Sequence, residues 1–186
     1  MPAIFFDTET TGKYNFRGDF EDADQPDLVQ LAFMVDDDEG NNLACNYFPV
    51  IPNKDVEAGA EAVHGKSRQW LEKYGVSIGH ATSIFQVFYG RCNVAVAHNI
   101  KFDLAIMKRA YFMAGKDFFD HADPHCTMLG SSNLCKLPGR GRSYKWPKLD
   151  EAYRLLVNKG GFEHAHDALA DVKACREIYY ATRSQT

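Results

Sequence analysis

No run of about 18 apolar residues occurs anywhere in the 186-residue chain, so no membrane-spanning helix is encoded. No basic segment followed by an apolar core opens it; strand-forming residues begin at Ala3, which predicts the absence of a secretory leader. Cysteine occurs five times (Cys45, Cys92, Cys126, Cys135 and Cys175) but never as a CxxC pair. An odd, scattered set argues against a disulfide framework and predicts free thiols in a reducing cytoplasm. Internal repeats, low-complexity tracts and linker-like stretches are also missing, which predicts a single domain over residues 1–186. At that length a sizeable core can be buried, and 45% hydrophobic with 25% charged residues describes an ordinary globular chain. There is no organised Ser-His-Asp or Cys-His signature that would mark a side-chain nucleophile.

A basic balance is lacking too: the formal net charge is −4. Evenly spread, that charge would count against a nucleic-acid partner, but its distribution is uneven. Asp19, Glu21, Asp22, Asp24 and Asp27 crowd one segment, and Asp36, Asp37, Asp38 and Glu39 crowd another. By contrast, Lys136, Arg140, Arg142, Lys145 and Lys148 fall within thirteen residues that contain no acid. Local charge is therefore more informative than the total.

Hydrophobic patterning predicts strands at 3–6, 28–35 and 43–50, the last two joined by a turn at Gly40-Asn41. Three strands with non-helical connections predict an antiparallel meander. Helical patterns follow at 57–63, 67–74 and 80–91, then a short strand at 93–97, a helix at 103–114 and a strand at 124–128. The last two helices are expected at 148–157 and 168–182. Strands first, then helices alternating with strands, predict an α/β domain with a mixed sheet.

Three places carry chemistry. In Ile4-Phe5-Phe6-Asp7-Thr8-Glu9, the period of two puts Asp7 and Glu9 on one side of the strand. They lie at its carboxyl end, where α/β folds place their sites. Two such carboxylates repel each other unless a cation is present, and a hard divalent ion prefers oxygen ligands; a solvated strand end is the plainer alternative. In AHNIKFD (97–103), a second apolar strand runs through a polar turn to Asp103, which could equally cap the helix that follows. In EHAHDALADV (163–172), His166 and Asp171 are five apart and would diverge by about 140° on one helix. The pair works together if His166 lies in a loop, Asp167 caps the helix and Asp171 lies within it.

Taken together, DTETTG (7–12), VHG (63–65), HNIKFD (98–103) and HDALAD (166–171) resemble the DEDDh 3′–5′ exonucleases, a family that includes bacterial proofreading subunits and ribonuclease T. The resemblance covers nearly the whole chain. It implies a ribonuclease-H-like α/β fold, with a five-stranded mixed sheet flanked by helices. It implies that Asp7, Glu9, Asp103 and Asp171 hold two Mg²⁺ or Mn²⁺ ions, one activating water and the other taking up charge on the departing 3′ oxygen. His166 would accept the proton from that water, a task suited to histidine because its side chain titrates near neutrality. The product would be a nucleoside 5′-monophosphate.

The same resemblance assigns substrate contacts. Thr8, Thr10 and Thr11 would edge the pocket for the 3′-terminal nucleotide, and Gly12 would let backbone come close to it. His64 falls where relatives place a substrate-contacting histidine, and is otherwise a loop histidine between helices. His98 and Asn99 would orient phosphate or simply fix their turn, and Phe102 is read as core. The stretch 136–149 (KLPGRGRSYKWPKL) is the candidate strand-binding loop, with Arg140 and Arg142 outward, Trp146 inward and Pro147 opening the next helix. A zinc site from His121, His125, Cys126 and Cys135 is the weaker alternative, since no CxxC knuckle supports it. A catalytically inactive binding module on the same fold is disfavoured because all five catalytic positions are filled. The expected partner is a nucleic acid with a free 3′ end, single-stranded DNA ahead of RNA; a protein partner or homodimer is left open. The chain stops a few residues after its last helix, which predicts a free-standing nuclease rather than a dedicated proofreading subunit.

Overall fold

The computed structural model of the chain describes residues 1–141 and 143–184. Arg142, one of the expected strand contacts, lies outside the described residues. Five strands are present: β1 (Ala3–Thr10), β2 (Leu28–Asp36), β3 (Asn42–Pro49), β4 (Val94–Ala97) and β5 (Asp123–Cys126). They form one mixed sheet in the order β3-β2-β1-β4-β5. The first three pair antiparallel, and β4 and β5 run parallel to β1. The expected meander and mixed sheet are both present. β2 is buried along its whole length because both of its faces are covered, while β3, at the edge, is exposed or half-buried throughout.

The helices are α1 (Ala58–His64), α2 (Arg68–Tyr74), α3 (Ile78–Tyr89), α4 (Ile100–Met113), α5 (Thr127–Cys135), α6 (Leu149–Leu156) and α7 (Ala168–Arg183). Even-numbered residues of β1, Ile4 and Phe6, face a core built with α3 and α4. Odd-numbered ones, Ala3 and Phe5, face a core built with α7, through Ala168, Val172, Cys175 and Tyr179. Burying each of the larger ones, Ile4, Phe5, Phe6 and Val172, contributes roughly 1.5–3 kcal/mol. The alternation in β1 thus fixes which layer each later side chain of that strand addresses.

Four expectations change. Helix α4 begins at Ile100, three residues ahead of Asp103, because Asn99 takes the left-handed conformation (φ 79°, ψ 49°) at the N-cap position. Asn tolerates that conformation better than most residues, and Asp103 is thereby freed from capping. The strand expected at 124–128 ends at Cys126 and turns directly into α5, a helix the patterning did not indicate. Its sequence, TMLGSSNLC, is poor in helix formers; Cys135, at its end, packs into a cluster with α6 and α7 that supplies what propensity lacks. Trp146 points outward, 65% exposed. Pro147 stands two residues ahead of α6 rather than in its first turn, with Lys148 at the N-cap. The 136–148 loop closes on itself through the Pro138–Tyr144 bridge and the Lys145 N–H to the Leu137 carbonyl, which turns Trp146 away from the core.

Candidate active site

β4 pairs only with residues 3–5 of β1, so β1 projects beyond its parallel neighbour. The projecting segment carries Asp7, Thr8 and Glu9. Asp7 and Glu9 continue the odd-numbered face and address α7. On α7 the buried stripe runs Ala168, Asp171, Val172, Cys175, Ile178 and Tyr179. Asp171 sits on that stripe where it passes the end of the sheet, one turn before Cys175. In α4 the buried stripe Asp103, Ile106, Met107, Ala110 and Tyr111 does the same from the other layer. Both helices therefore deliver an acid on their apolar faces to the carboxyl end of β1. The strand N–H that β4 leaves unpaired is used there: Thr8 donates its N–H (3.1 Å) and its hydroxyl (2.8 Å) to the same Asp103 oxygen.

His166 lies in the loop before α7, exposed and at φ 70°, and its N–H donates to both Asp171 oxygens at 3.3 Å. One ring nitrogen of His166 and carboxylate oxygens of Glu9 and Asp171 all lie within 4.8 Å of one another. Asp167 is the N-cap of α7, accepting from the Leu169 N–H at 3.2 Å. The loop histidine, capping acid and helical acid have the arrangement expected from the five-residue spacing.

Crowding and burial show in the acidities. Burial holds the Asp7 carboxyl well above the usual carboxylate range, with repulsion from Asp103, Asp171, Glu9 and Asp167 adding to it. Burial pushes Glu9 up to about 8, Asp171, Asp103 and Asp167 adding and Lys66 opposing. Asp103 is pushed up to about 7 by burial, against the hydrogen bonds from Thr8, and Asp171 to about 7 by burial, against the His166 N–H. Among the described residues no lysine or arginine forms an ion pair with any of these four carboxylates. An all-oxygen donor set, half-buried at Asp7 and Glu9 and buried at Asp103 and Asp171, fits hard divalent cations. The His121, His125, Cys126 and Cys135 set does not gather into a metal-ligating cluster among the described residues; the His125 ring packs edge-on against Tyr179 instead.

A cleft of about 400 Å³ opens beside Glu9, lined by Thr10, Gly12, Glu57, Val63 and His64 among others. The threonine hydroxyls are not aimed into it. Thr8 binds Asp103, Thr10 donates to the Gly12 carbonyl at 2.7 Å, and Thr11 accepts from the Asp27 N–H at 2.9 Å. These threonines shape the wall and leave backbone to face a ligand. At Gly12 a Cβ would meet only the end of the exposed Glu57 side chain, which would have to swing aside. His64 is buried with both nitrogens used: Nδ1 accepts from the Lys66 N–H at 3.1 Å, and Nε2 faces the Thr10 carbonyl at 3.3 Å. Its ring surface is what the cleft meets. His98 is likewise committed, to the Thr127 hydroxyl and the Pro147 carbonyl, each at 3.0 Å, and so braces α5 and the 136–148 loop. Asn99 is exposed and its side chain makes no cap hydrogen bond. Phe102 packs against the core. Arg140 is exposed on its loop, while Lys145 pairs with Glu151 at 2.6 Å.

Two features escaped the sequence reading. Lys66, directly after VHG, reaches Asp167 at 3.7 Å and stands at the rim of the acidic cluster; its place beside a substrate-type motif was the available signal. Arg109, buried in α4, holds Asp27 at 3.1 Å and donates to the Phe20 and Asp22 carbonyls. Nothing local marks it, because its partners lie more than 80 residues away.

An acid cluster at the carboxyl end of the first strand of a ribonuclease-H-like sheet is a donor set of the kind that two-metal phosphodiester cleavage uses. The model of the family described as Exonuclease (RNase_T) matches residues 4–179, and the chain belongs to that family. It is 30% identical over 171 residues to a Bacillus subtilis protein named 3′-5′ exonuclease DinG, covering 91% of this chain and 16% of that protein. It is 28% identical over 187 residues to an exonuclease of Escherichia phage 186 called CP81, covering 91% of this chain and 82% of the relative. Among solved structures, E. coli exonuclease I in complex with a dT13 oligonucleotide superposes with a TM-score of 0.73 at 19% identity, covering all of this chain and 41% of that one. The chain thus spans a small part of DinG and under half of exonuclease I, and the structural likeness establishes the fold.

Proposed function

We propose that the chain is a metal-dependent 3′–5′ exonuclease that releases nucleoside 5′-monophosphates from the 3′ ends of single-stranded DNA. The observation that carries this reading is the convergence of Asp7, Glu9, Asp103 and Asp171, ion-paired with no cation among the described residues, beside the exposed imidazole of His166. Those four acids would hold two Mg²⁺ or Mn²⁺ ions, which when bound supply charge compensation to the attacking and leaving oxygens of an in-line displacement. Each acid comes from a rigid element, so the donor set is preorganised. Thr8 keeps the Asp103 carboxylate in orientation through two hydrogen bonds. His166 sits next to Glu9 and Asp171 but on an exposed loop, where it takes the proton of the attacking water and passes it to solvent.

The cleft beside Glu9 seats the terminal nucleoside between the Thr10–Gly12 backbone and the His64 ring, which puts the last phosphodiester over the carboxylates. The 136–148 loop, braced by His98, offers Arg140, Tyr144 (46% exposed) and Trp146 to the strand behind it. Deoxyribose is favoured because solved structures of the matching fold contain dT13 and dA13 strands. All the described elements act as one exonuclease domain. The five unbridged cysteines support work in a reducing cytoplasm.

End-labelled single strands of matched DNA and RNA sequence, incubated with Mg²⁺ or with EDTA, test the reading. Mononucleotides appear stepwise from the 3′ end, only with metal, and faster from DNA. His166→Ala lowers the rate by about 10²–10⁴-fold, and Asp7→Ala abolishes it. Metal-independent cleavage, or an active Asp7→Ala protein, overturns the assignment; faster RNA shortening reassigns the substrate.

A further inference from the structure

Helix α2 carries an arrangement that the acidic site does not use. Trp70 and Tyr74, four residues apart, share one face of the helix, with Lys73 beside Tyr74, and Lys66, two residues ahead of the helix, lies over Trp70. The Lys66 ammonium sits 5.1 Å from the centre of the Trp70 ring, and the Lys73 ammonium 5.0 Å from that of Tyr74. The two rings are 5.3 Å apart and inclined by 48°. Tyr74 is 54% exposed, and the rings border an open cleft of about 600 Å³. Leu71, Ser67, Arg68 and Glu72 have structural roles. Leu71 is its buried anchor, Ser67 caps it, and Arg68 binds Glu72 at 2.7 Å and the Lys54 carbonyl at 2.8 Å. Packing therefore explains Leu71 and Arg68 but not the cation–aromatic face.

That face is continuous with the acidic site. Lys66 reaches Asp167 at 3.7 Å, and its N–H donates to His64, which lines the terminal cleft. Alternating cations and ring faces are the chemistry that holds a single strand without reading its sequence. Ammonium groups take phosphates, and bases stack on aromatics.

We propose that Lys66, Trp70, Lys73 and Tyr74 form a stacking platform for nucleotides upstream of the scissile 3′ end, so that α2 holds the single strand while its end occupies the acidic site. The proposal rests on the exonuclease reading, and its test separates the two. Trp70 and Trp146 are the only tryptophans of the chain, so a Trp146→Phe protein reports Trp70 fluorescence alone. Titrated in EDTA with an oligothymidylate of about 15 nucleotides, that fluorescence is quenched. In Trp70→Ala/Tyr74→Ala the oligonucleotide, followed by anisotropy, binds about 10- to 100-fold more weakly. The preference in kcat/KM for the oligonucleotide over a dinucleotide falls by a similar factor. Lys73→Glu, a fully surface change, weakens binding and lowers the salt slope by about 1.

Unquenched Trp70 fluorescence, or oligonucleotide affinity within twofold of the parent in both variants, overturns the platform. So does a result in which the variants alter only the oligomeric mass in size-exclusion chromatography, which would make the face a protein interface. Failure of the wild type to shorten any strand with Mg²⁺ would sink the exonuclease reading instead, while the binding measurements in EDTA would still judge the platform.

Discussion

Asp103→Asn is expected to make the metal-free protein more stable while removing its activity. The Asp103 carboxyl is pushed up to about 7 from an ordinary 3.8. A group raised in this way leaves the folded chain holding more protons than the unfolded chain between those two values. Stability contributed by the protonated form is complete below about pH 4 and is lost as pH rises through about 7. At about 1.4 kcal/mol for each tenfold difference, full ionisation costs the fold about 4 kcal/mol. Sharing of protons with Asp7 and Asp171 reduces the gain from one substitution to about 2–4 kcal/mol. Asparagine keeps a carbonyl oxygen to accept the Thr8 N–H and hydroxyl, so the geometry survives while the charge goes. For a domain of this size the melting temperature should rise by roughly 5–15 °C at pH 8 in EDTA, with the gain shrinking towards pH 4.5. Adding Mg²⁺ at pH 8 should raise the wild-type value more than that of the variant, because the ion binds only the folded site. Calorimetry over pH, with and without chelator, reads all of this. A variant that melts no higher than wild type at pH 8, or gains equally at both pH values, refutes the claim that the buried Asp103 charge costs the fold stability.

Three further outcomes follow from the packing. Asp167→Ala removes a cap and should cost about 1 kcal/mol in denaturant melts yet keep exonuclease activity, whereas Asp171→Ala should lose activity; equal loss in both would misassign the helix acid. Arg109→Ala strands Asp27 in the core, with a cost of about 3–5 kcal/mol in urea unfolding. Because Asp27 pairs through its backbone with Thr11, KM should rise as well, and a loss of less than about 1 kcal/mol would contradict the burial of the pair. Gly12→Ala forces the exposed Glu57 side chain aside. It should cost less than about 1 kcal/mol while raising KM several-fold, and an unchanged KM would place the terminal nucleotide elsewhere.

The alternation in IFFDTETTG already put Asp7 and Glu9 on one side, because a strand has a period of two whatever surrounds it. The cap at Asp167 was readable from residue type, and so was the loop position of His166, since two residues five apart cannot share a helix face. Helix α5 was not readable: Gly130, Ser131 and Ser132 have little intrinsic preference for helix, and the neighbours that stabilise it come from α6 and α7. Trp146 was misjudged for a related reason. Its hydrophobicity suggested burial, but the closure of its own loop sets its direction. His64, His98 and the threonines were legible as residues near the site; Thr10 and His64 each have one local hydrogen-bond partner, but the bonds that commit His98 and Thr8 depend on residues distant in sequence, Pro147 and Asp103.

Spacing and periodicity, which are local properties, put Asp7 and Glu9 on one side of a strand and took His166 off the helix face that carries Asp171, and the resemblance to the DEDDh exonucleases joined these residues with Asp103 into one candidate site. Only the tertiary structure decided that Asp103 and Asp171, each on the apolar stripe of its helix, meet Asp7 and Glu9 where β1 outruns β4. That meeting depends on the length of one strand relative to another and on the packing of two helices against opposite faces of a sheet, and no local pattern encodes either.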